Sequence, residues 1–267
     1  MADASRRLAK GDYNQRVQVQ RNDELGDMAT AFNQMAVDLS QQSDLRRQMM
    51  ADVAHELRTP LSILRIDLES MEDGLMEASP ENVRALQSEV SYLSNLVDDL
   101  RMLSLADAGD LKIEKSPVEL NSLVREMVER QQNAARERKI KMTAYYAENE
   151  IFVMGDPQRL SQVMVNLLSN AIQHTLPDHE ITTKIEVENR LARVSVTNYG
   201  TWIPTEDLER IFDRFYRLER SRNRDQGGSG LGLSIARSLI NAHGGKIWAE
   251  SEQGKATTFI FTLPLLS

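Results

Sequence analysis

The stretch Val53-Ala54-His55-Glu56-Leu57-Arg58-Thr59-Pro60-Leu61 decides how the chain is read. It lies inside a long apolar-periodic segment. Leu57, Leu61, Leu64, Leu68, Met71 and Leu75 recur at alternating four- and three-residue steps, and Val53 continues the series upstream. That spacing predicts a helix with a heptad seam. His55 is two residues from both Val53 and Leu57. Two residues are more than half a helical turn, so the imidazole points away from the seam, into solvent. Pro60 lacks the N–H that would reach the Glu56 carbonyl, so a bend is expected one turn after His55. The stretch therefore sets an exposed imidazole beside a carboxylate at a weak point of a helix.

An exposed histidine is most often only a solvated side chain. His-Glu also opens the zinc-protease pattern H-E-x-x-H, but position 59 is Thr, so the second ligand is missing. At 267 residues the chain is long enough for about two domains. The net charge of −8, the pI near 5.2 and the lack of a basic stripe argue against nucleic-acid binding. There is no cysteine, hence no disulfide framework, which fits a reducing compartment. No signal peptide is evident, and no apolar run approaches the roughly 18 residues that a membrane helix needs.

Upstream of His55, residues 1–43 form a leading module. A short helix ends at Leu8, Gly11-Asp12 breaks it, and Val17 and Val19 sit in an extended connector. Asp23-Glu24 starts a second helix with the seam Leu25, Met28, Phe32, Met35 and Leu39. The next helix is expected over about Asp44–Glu77, and Leu45, Met49, Val53 and Leu57 form a four-residue stutter in it. Ser79-Pro80 marks a turn. A partner helix then carries Val83, Leu86, Val90, Leu93, Val97, Leu100 and Ser104 at heptad spacing. A two-helix hairpin cannot bury such a stripe alone, which points to a homodimer forming a four-helix bundle.

Beyond a linker at Ala106–Pro117 the pattern changes to mixed helix and strand. Val118–Arg138 reads mostly as helix, and Ile140–Tyr146 and Ile151–Met154 read as strands. Asp156-Pro157 caps a helix that buries Leu160, Val163, Met164, Leu167, Leu168 and Ala171. Strands are expected at Ile181–Glu188 and Ala192–Asn198, a loop with short helices over 200–229, and a helix from Gly230 to His243. Strands Lys246–Glu250 and Thr257–Leu263 close the chain. Helices with mostly antiparallel strands in this order suggest a two-layer α/β sandwich.

Asn166 and Asn170 are four apart and share one helix face. Gly228-Ser229-Gly230-Leu231-Gly232 precedes a helix, where glycines let backbone approach phosphates and free N–H groups point at them. It has neither Rossmann nor P-loop spacing.

His55-Glu-Leu-Arg-Thr-Pro-Leu61 resembles the phosphoacceptor box of sensor histidine kinases, and four further boxes follow in that family's order. Residues 11–35 are similar to the second half of a HAMP linker. Asn166-Leu-Leu-Ser-Asn170-Ala171 resembles the N box of the GHKL ATPases, Val196–Pro204 their first glycine box, Ile211–Arg217 the F box, and Gly228–Leu233 the second glycine box. The resemblance implies helices forming a coiled-coil, four-helix-bundle dimerisation region, followed by a two-layer α/β sandwich of the Bergerat type that binds ATP and Mg2+. It divides the chain into 1–43 (partial HAMP), 44–110 (dimerisation and phosphotransfer hairpin) and 111–267 (ATP-binding domain).

The implied roles follow residue by residue. His55 accepts the phosphoryl group, Glu56 orients it, Thr59 positions water for dephosphorylation of the regulator, and Arg217 reaches the terminal phosphate. Asn170, supported by Asn166, holds the metal. Gln173-His174 stands where the family often has Lys, with His174 a partial substitute, and Asn198 where it usually has an adenine-binding Asp. Gly200, Phe212, Gly228, Gly230, Leu231 and Gly232 belong to the nucleotide site, and Thr258 braces the N box. Trp202 replaces the second glycine of its box and is expected to pack near the base. The implied partners are a second copy and a response regulator. The parent protein is expected to continue upstream as a bacterial inner-membrane sensor of which this chain is the cytoplasmic portion. The other reading is a non-catalytic dimeric scaffold with weakened ATP binding.

Overall fold

The computed structural model describes residues 2–18, 23–218 and 229–266, the side chains of 45 and 46 excepted. Val19, the Leu45 side chain and Gly228 among the residues above thus lie outside the described ones. The chain divides into two compact units, Met1–Glu89 and Val90–Ser267.

The first unit holds α1 (Ala2–Leu8) and α2 (Glu24–Glu72). The Asp23 carboxylate caps α2, accepting from the backbone N–H groups of Leu25 and Gly26 at 3.2 Å each. Asn33 clamps the connector: it accepts from the Val17 N–H and donates to the Val17 carbonyl, both at 2.8 Å. The expected seam splits. Phe32 and Leu39 pack with Leu8, Tyr13 and Val17, whereas Leu25, Met28 and Met35 are exposed.

No break separates the two segments expected on either side of residue 44. One 49-residue helix carries both and runs through Pro60. It stops at Glu72 rather than Glu77, because Gly74 follows: its N–H bonds the Met71 carbonyl while the Leu75 N–H bonds that of Ser70. Helix α3 (Pro80–Asp107) opens with proline at its first position and Ser79 Oγ accepting from the Asn82 N–H. It ends three residues beyond the expected Ser104.

The second unit contains the rest of α3 and the sandwich. Here the expected seam is not the buried face of α3. Val90 and Val97 are exposed, and Leu96, Met102 and Leu103 are buried. Strand β1 (Ser116–Glu119) pairs antiparallel with β3 (Phe152–Gly155) as a separate ribbon. The reading of 118–138 as one helix missed β1. Helix α4 (Leu120–Glu137) begins only after Glu119, whose carboxylate caps it through the Asn121 and Ser122 N–H groups.

The main sheet contains β2 (Lys141–Tyr145), β4 (Glu180–Glu188), β5 (Leu191–Asn198), β6 (Lys246–Ser251) and β7 (Thr257–Pro264) in the order β2-β4-β5-β7-β6. Only the β2–β4 pair is parallel. Ala192, Val194 and Val196 of β5 are fully buried under α5 (Pro157–His174), and α6 (Gly232–Ala242) lies beside α5. The result is a two-layer α/β sandwich.

One buried side chain ties the two inner helices together. The His243 ring, just past α6, accepts from the Asp156 N–H at 2.9 Å through Nε2 and bonds the Leu239 carbonyl at 2.7 Å through Nδ1. Asp156 in turn caps α5 through Gln158 and Arg159. His243→Ala leaves a buried N–H without its acceptor and should lower stability by about 1–3 kcal/mol. Urea denaturation checks this; an unchanged midpoint refutes it.

Candidate functional site

The site is built on α5. Leu160, Val163, Met164, Leu167, Leu168 and Ala171 are each at most 1% exposed, which fixes the rotation of the helix. Asn166 and Asn170 are left half-buried on the remaining face. Asn166 Nδ2 donates to the Gly232 carbonyl at 3.0 Å, joining α5 to the start of α6. The Asn170 amide bonds no described residue. Both line a cavity of about 260 Å³.

The lining falls into two chemical groups. Asn166, Asn170, Arg217, Gly230 and Gly232 are polar or glycine; Ile203, Ile211 and Phe259 are apolar, with Asn198 and Thr257 among them. Asn198 is 2% exposed, and its Oδ1 is buried without a hydrogen-bond partner among the described residues. Gly230 has φ +69°, and a Cβ there would meet the Phe215 backbone at 2.9 Å, while its carbonyl accepts from the Phe215 N–H. Glycine is therefore needed where the two loops touch.

His174 lines the cavity as well. Burial first, then the nearby charges of Arg217 and Arg138, hold its pKa below the ordinary imidazole value, so the ring is neutral. On α2, in the other unit, His55 is exposed and Thr59 Oγ1 donates to the His55 carbonyl at 3.4 Å.

Three families match. Residues 155–267 match the histidine kinase-, DNA gyrase B- and HSP90-like ATPase family, residues 45–109 the His Kinase A phospho-acceptor domain, and residues 1–41 the HAMP domain. The signal transduction histidine-protein kinase BaeS of Escherichia coli strain K12 is 38% identical over 267 residues, which are 99% of this chain and 56% of that protein. The sensor histidine kinase WalK of Bacillus subtilis strain 168 is 36% identical over 82% of this chain and 36% of its own length. The crystal structure of the histidine kinase ThkA in complex with the response regulator protein TrrA has a TM-score of 0.67 and 29% identity, over 85% of this chain and 64% of that one. The chain spans about half the length of BaeS and less of WalK.

The chain belongs to the sensor histidine kinases of two-component systems. Its 155–267 region is an ATP-binding domain of the GHKL type.

In this histidine kinase the cavity brings together Asn166, Asn170, His174, Asn198, Arg217, Gly230 and Gly232 of the expected set. Four expected residues do not line it. Phe212 is buried in the core with Arg237 over its ring at 5.7 Å, and Ile211 faces the cavity instead. Leu231 is fully buried because α6 starts only at Gly232, not at Gly230. Thr258 bonds Thr197 across the sheet at 3.0 Å rather than an N-box asparagine; strand alternation gives the cavity to Thr257. Gly200 bridges to Thr175, and a Cβ on it would sit 1.7 Å from the His174 carbonyl, so it permits a close approach without touching the cavity. Trp202 is half-buried and likewise outside the lining.

The sequence reading missed Asp99 altogether. Leu96 and Leu103 are buried, and Asp99 shares their face of α3 by i, i+3, i+7 spacing; it lines the cavity. Burial, then the neighbouring Asp98, pushes its pKa from 3.8 up to about 6. The unfolded chain therefore loses this proton before the folded one does. Stability falls as pH rises from about 4 to about 6, and the cost is complete above that. Asp99→Asn should raise the melting temperature at about pH 7.5, with the gain vanishing near pH 4. A pH-independent gain, or none, refutes this.

Proposed function

We propose that this chain transfers the γ-phosphoryl group of ATP to His55 and then to an aspartate of a response regulator. The observation that carries the reading is the exposed His55 beside Glu56 on a phospho-acceptor helix, in one chain with an ATP-binding domain whose cavity combines Asn166, Asn170, Arg217 and glycine backbone. The name of the ThkA–TrrA complex supports the second transfer, since that kinase was crystallised with a response regulator.

In the first step the lone pair of His55 Nε2 attacks the γ-phosphorus. The P–N bond forms as the bond to the β,γ-bridging oxygen breaks, and ADP leaves. Glu56 takes the proton from Nδ1 and orients the ring. Arg217 spreads the charge that develops on the phosphoryl oxygens. Asn198 and the apolar lining hold the base. In the second step a carboxylate oxygen of the regulator attacks phosphorus, and the bonding pair returns to Nε2. Thr59 positions water for the reverse dephosphorylation.

Mg2+ fits the residues present. The Asn170 amide, which bonds none of the described residues, offers a hard oxygen to the cavity, and Asn166 is oriented by its bond to the Gly232 carbonyl. The metal would neutralise phosphate charge when bound.

The domain division 1–43, 44–110 and 111–267 belongs to this reading. So does a homodimer: Leu61, Leu68, Val83, Val90 and Val97 are each at least 40% exposed, and a second copy would cover them. No described helix is long and apolar enough to cross a membrane. The HAMP match supports a membrane-anchored parent sensor, with this chain as its cytoplasmic portion.

Incubation with γ-labelled ATP and Mg2+ should give acid-labile, alkali-stable label on wild type and none on His55→Ala. A folded, dimeric wild type that takes no label would favour a non-catalytic scaffold. Thr59→Ala should keep autophosphorylation and lose most regulator dephosphorylation, read as the decay of purified phosphorylated regulator; undiminished decay removes that role from Thr59.

A further inference from the structure

Asn198 sits at the end of β5, facing the cavity among Ile203, Thr257 and Phe259. An apolar slot with one amide suits a flat heteroaromatic base with a polar edge. The polar edges of the two purines are opposite. Adenine presents a donor at its 6-amino group beside an acceptor at N1. A 6-oxopurine presents an acceptor at O6 beside a donor at N1–H. A carboxylate only accepts, so it pairs with the adenine amino group and repels O6. An amide carries one acceptor and two donors, and turning it over exchanges them.

What fixes an amide's orientation is its neighbours. The Asn198 amide bonds none of the described residues, and its Oδ1 is buried without a partner. Its register partners are Ile181 of β4, which has no polar side chain, and Thr257 of β7, whose hydroxyl is engaged with Ser251 Oγ at 2.7 Å and the Thr201 carbonyl at 3.4 Å. Nothing among the described residues therefore holds the amide in the adenine-reading orientation.

We propose that Asn198 reads either purine edge, so that 6-oxopurine triphosphates such as GTP and ITP serve beside ATP as phosphoryl donors to His55. This rests on the cavity being the ATP site. The chemistry is the same transfer, with the γ-phosphorus bond to the leaving diphosphate breaking as the P–N bond forms.

Displacement of a ribose-labelled fluorescent ADP by ATP, GTP and ITP tests it directly on the wild type, with γ-labelled ATP and GTP labelling alongside. GTP or ITP should compete within roughly tenfold of ATP, and Asn198→Asp should shift the ATP:GTP and ATP:ITP ratios toward ATP by roughly tenfold or more, whatever it does to the absolute affinities, the size of one mispaired hydrogen bond. ITP, which lacks the 2-amino group, separates the 6-position from any crowding at position 2. A wild-type preference for ATP over both beyond roughly tenfold overturns the proposal, and so does an ATP:GTP ratio that Asn198→Asp leaves unchanged. If ATP labels His55 while neither 6-oxopurine competes, the base proposal falls and the kinase reading stands. If no nucleotide displaces the probe, the assignment of the cavity fails and takes the proposal with it.

Discussion

The rotation of α5 about its own axis is the constraint on which the site depends. Six apolar side chains on one side of it are at most 1% exposed. The five larger ones, Leu160, Val163, Met164, Leu167 and Leu168, each contribute about 1.5–3 kcal/mol by leaving water, so turning the helix by even one residue would be prohibitive. Asn166 and Asn170 are consequently held in phase with the cavity by residues that never touch it. The Asp156 cap and its tie to His243 set the start of the helix, and the Asn166–Gly232 bond sets the start of α6 against it. Precision at the polar face is thus a product of packing at the apolar one.

The helices of the first unit follow the opposite logic. The seam of α2 is as regular as that of α5, yet Leu61 and Leu68 remain more than half exposed. The same heptad spacing that satisfies itself inside the sandwich is left unsatisfied along α2. An exposed stripe of this regularity is costly in an isolated chain and favourable in a bundle. His55 sits off that stripe, and its imidazole is exposed.

Much of this was legible in the sequence because it rests on periodicity and caps. The Asp156-Pro157 start, the α5 face and the β5 alternation are local signals, and they appear where expected. The failures are non-local. Phe212 reads as a nucleotide-site residue, whereas it is buried in the core with Arg237 over its ring. Thr258 and Thr257 differ only by which face of β7 is turned to the cavity, a one-residue register that spacing alone does not decide. Gly200 reads as a nucleotide-site glycine, whereas its need comes from a carbonyl 26 positions earlier, that of His174. Asp99 lay hidden because it falls off the heptad seam assigned to α3. Its face is the one that Leu96 and Leu103 bury.

The departures from the family pattern also follow from local physics. Position 202 is outside the cavity lining, and its loop is held by the Ile203 N–H donating to Ser251 Oγ at 3.0 Å. That bond is made by backbone, so tryptophan in place of glycine leaves it intact. Position 174 is different, because it does line the cavity. A lysine there would be a buried cation facing Arg217 and Arg138, and like charges in a desolvated site disfavour one another. Histidine resolves the conflict by shedding its proton. Positive charge for the phosphates is then left to Arg217 and to backbone N–H groups, which carry no net charge and cost nothing to bury when a ligand pairs them.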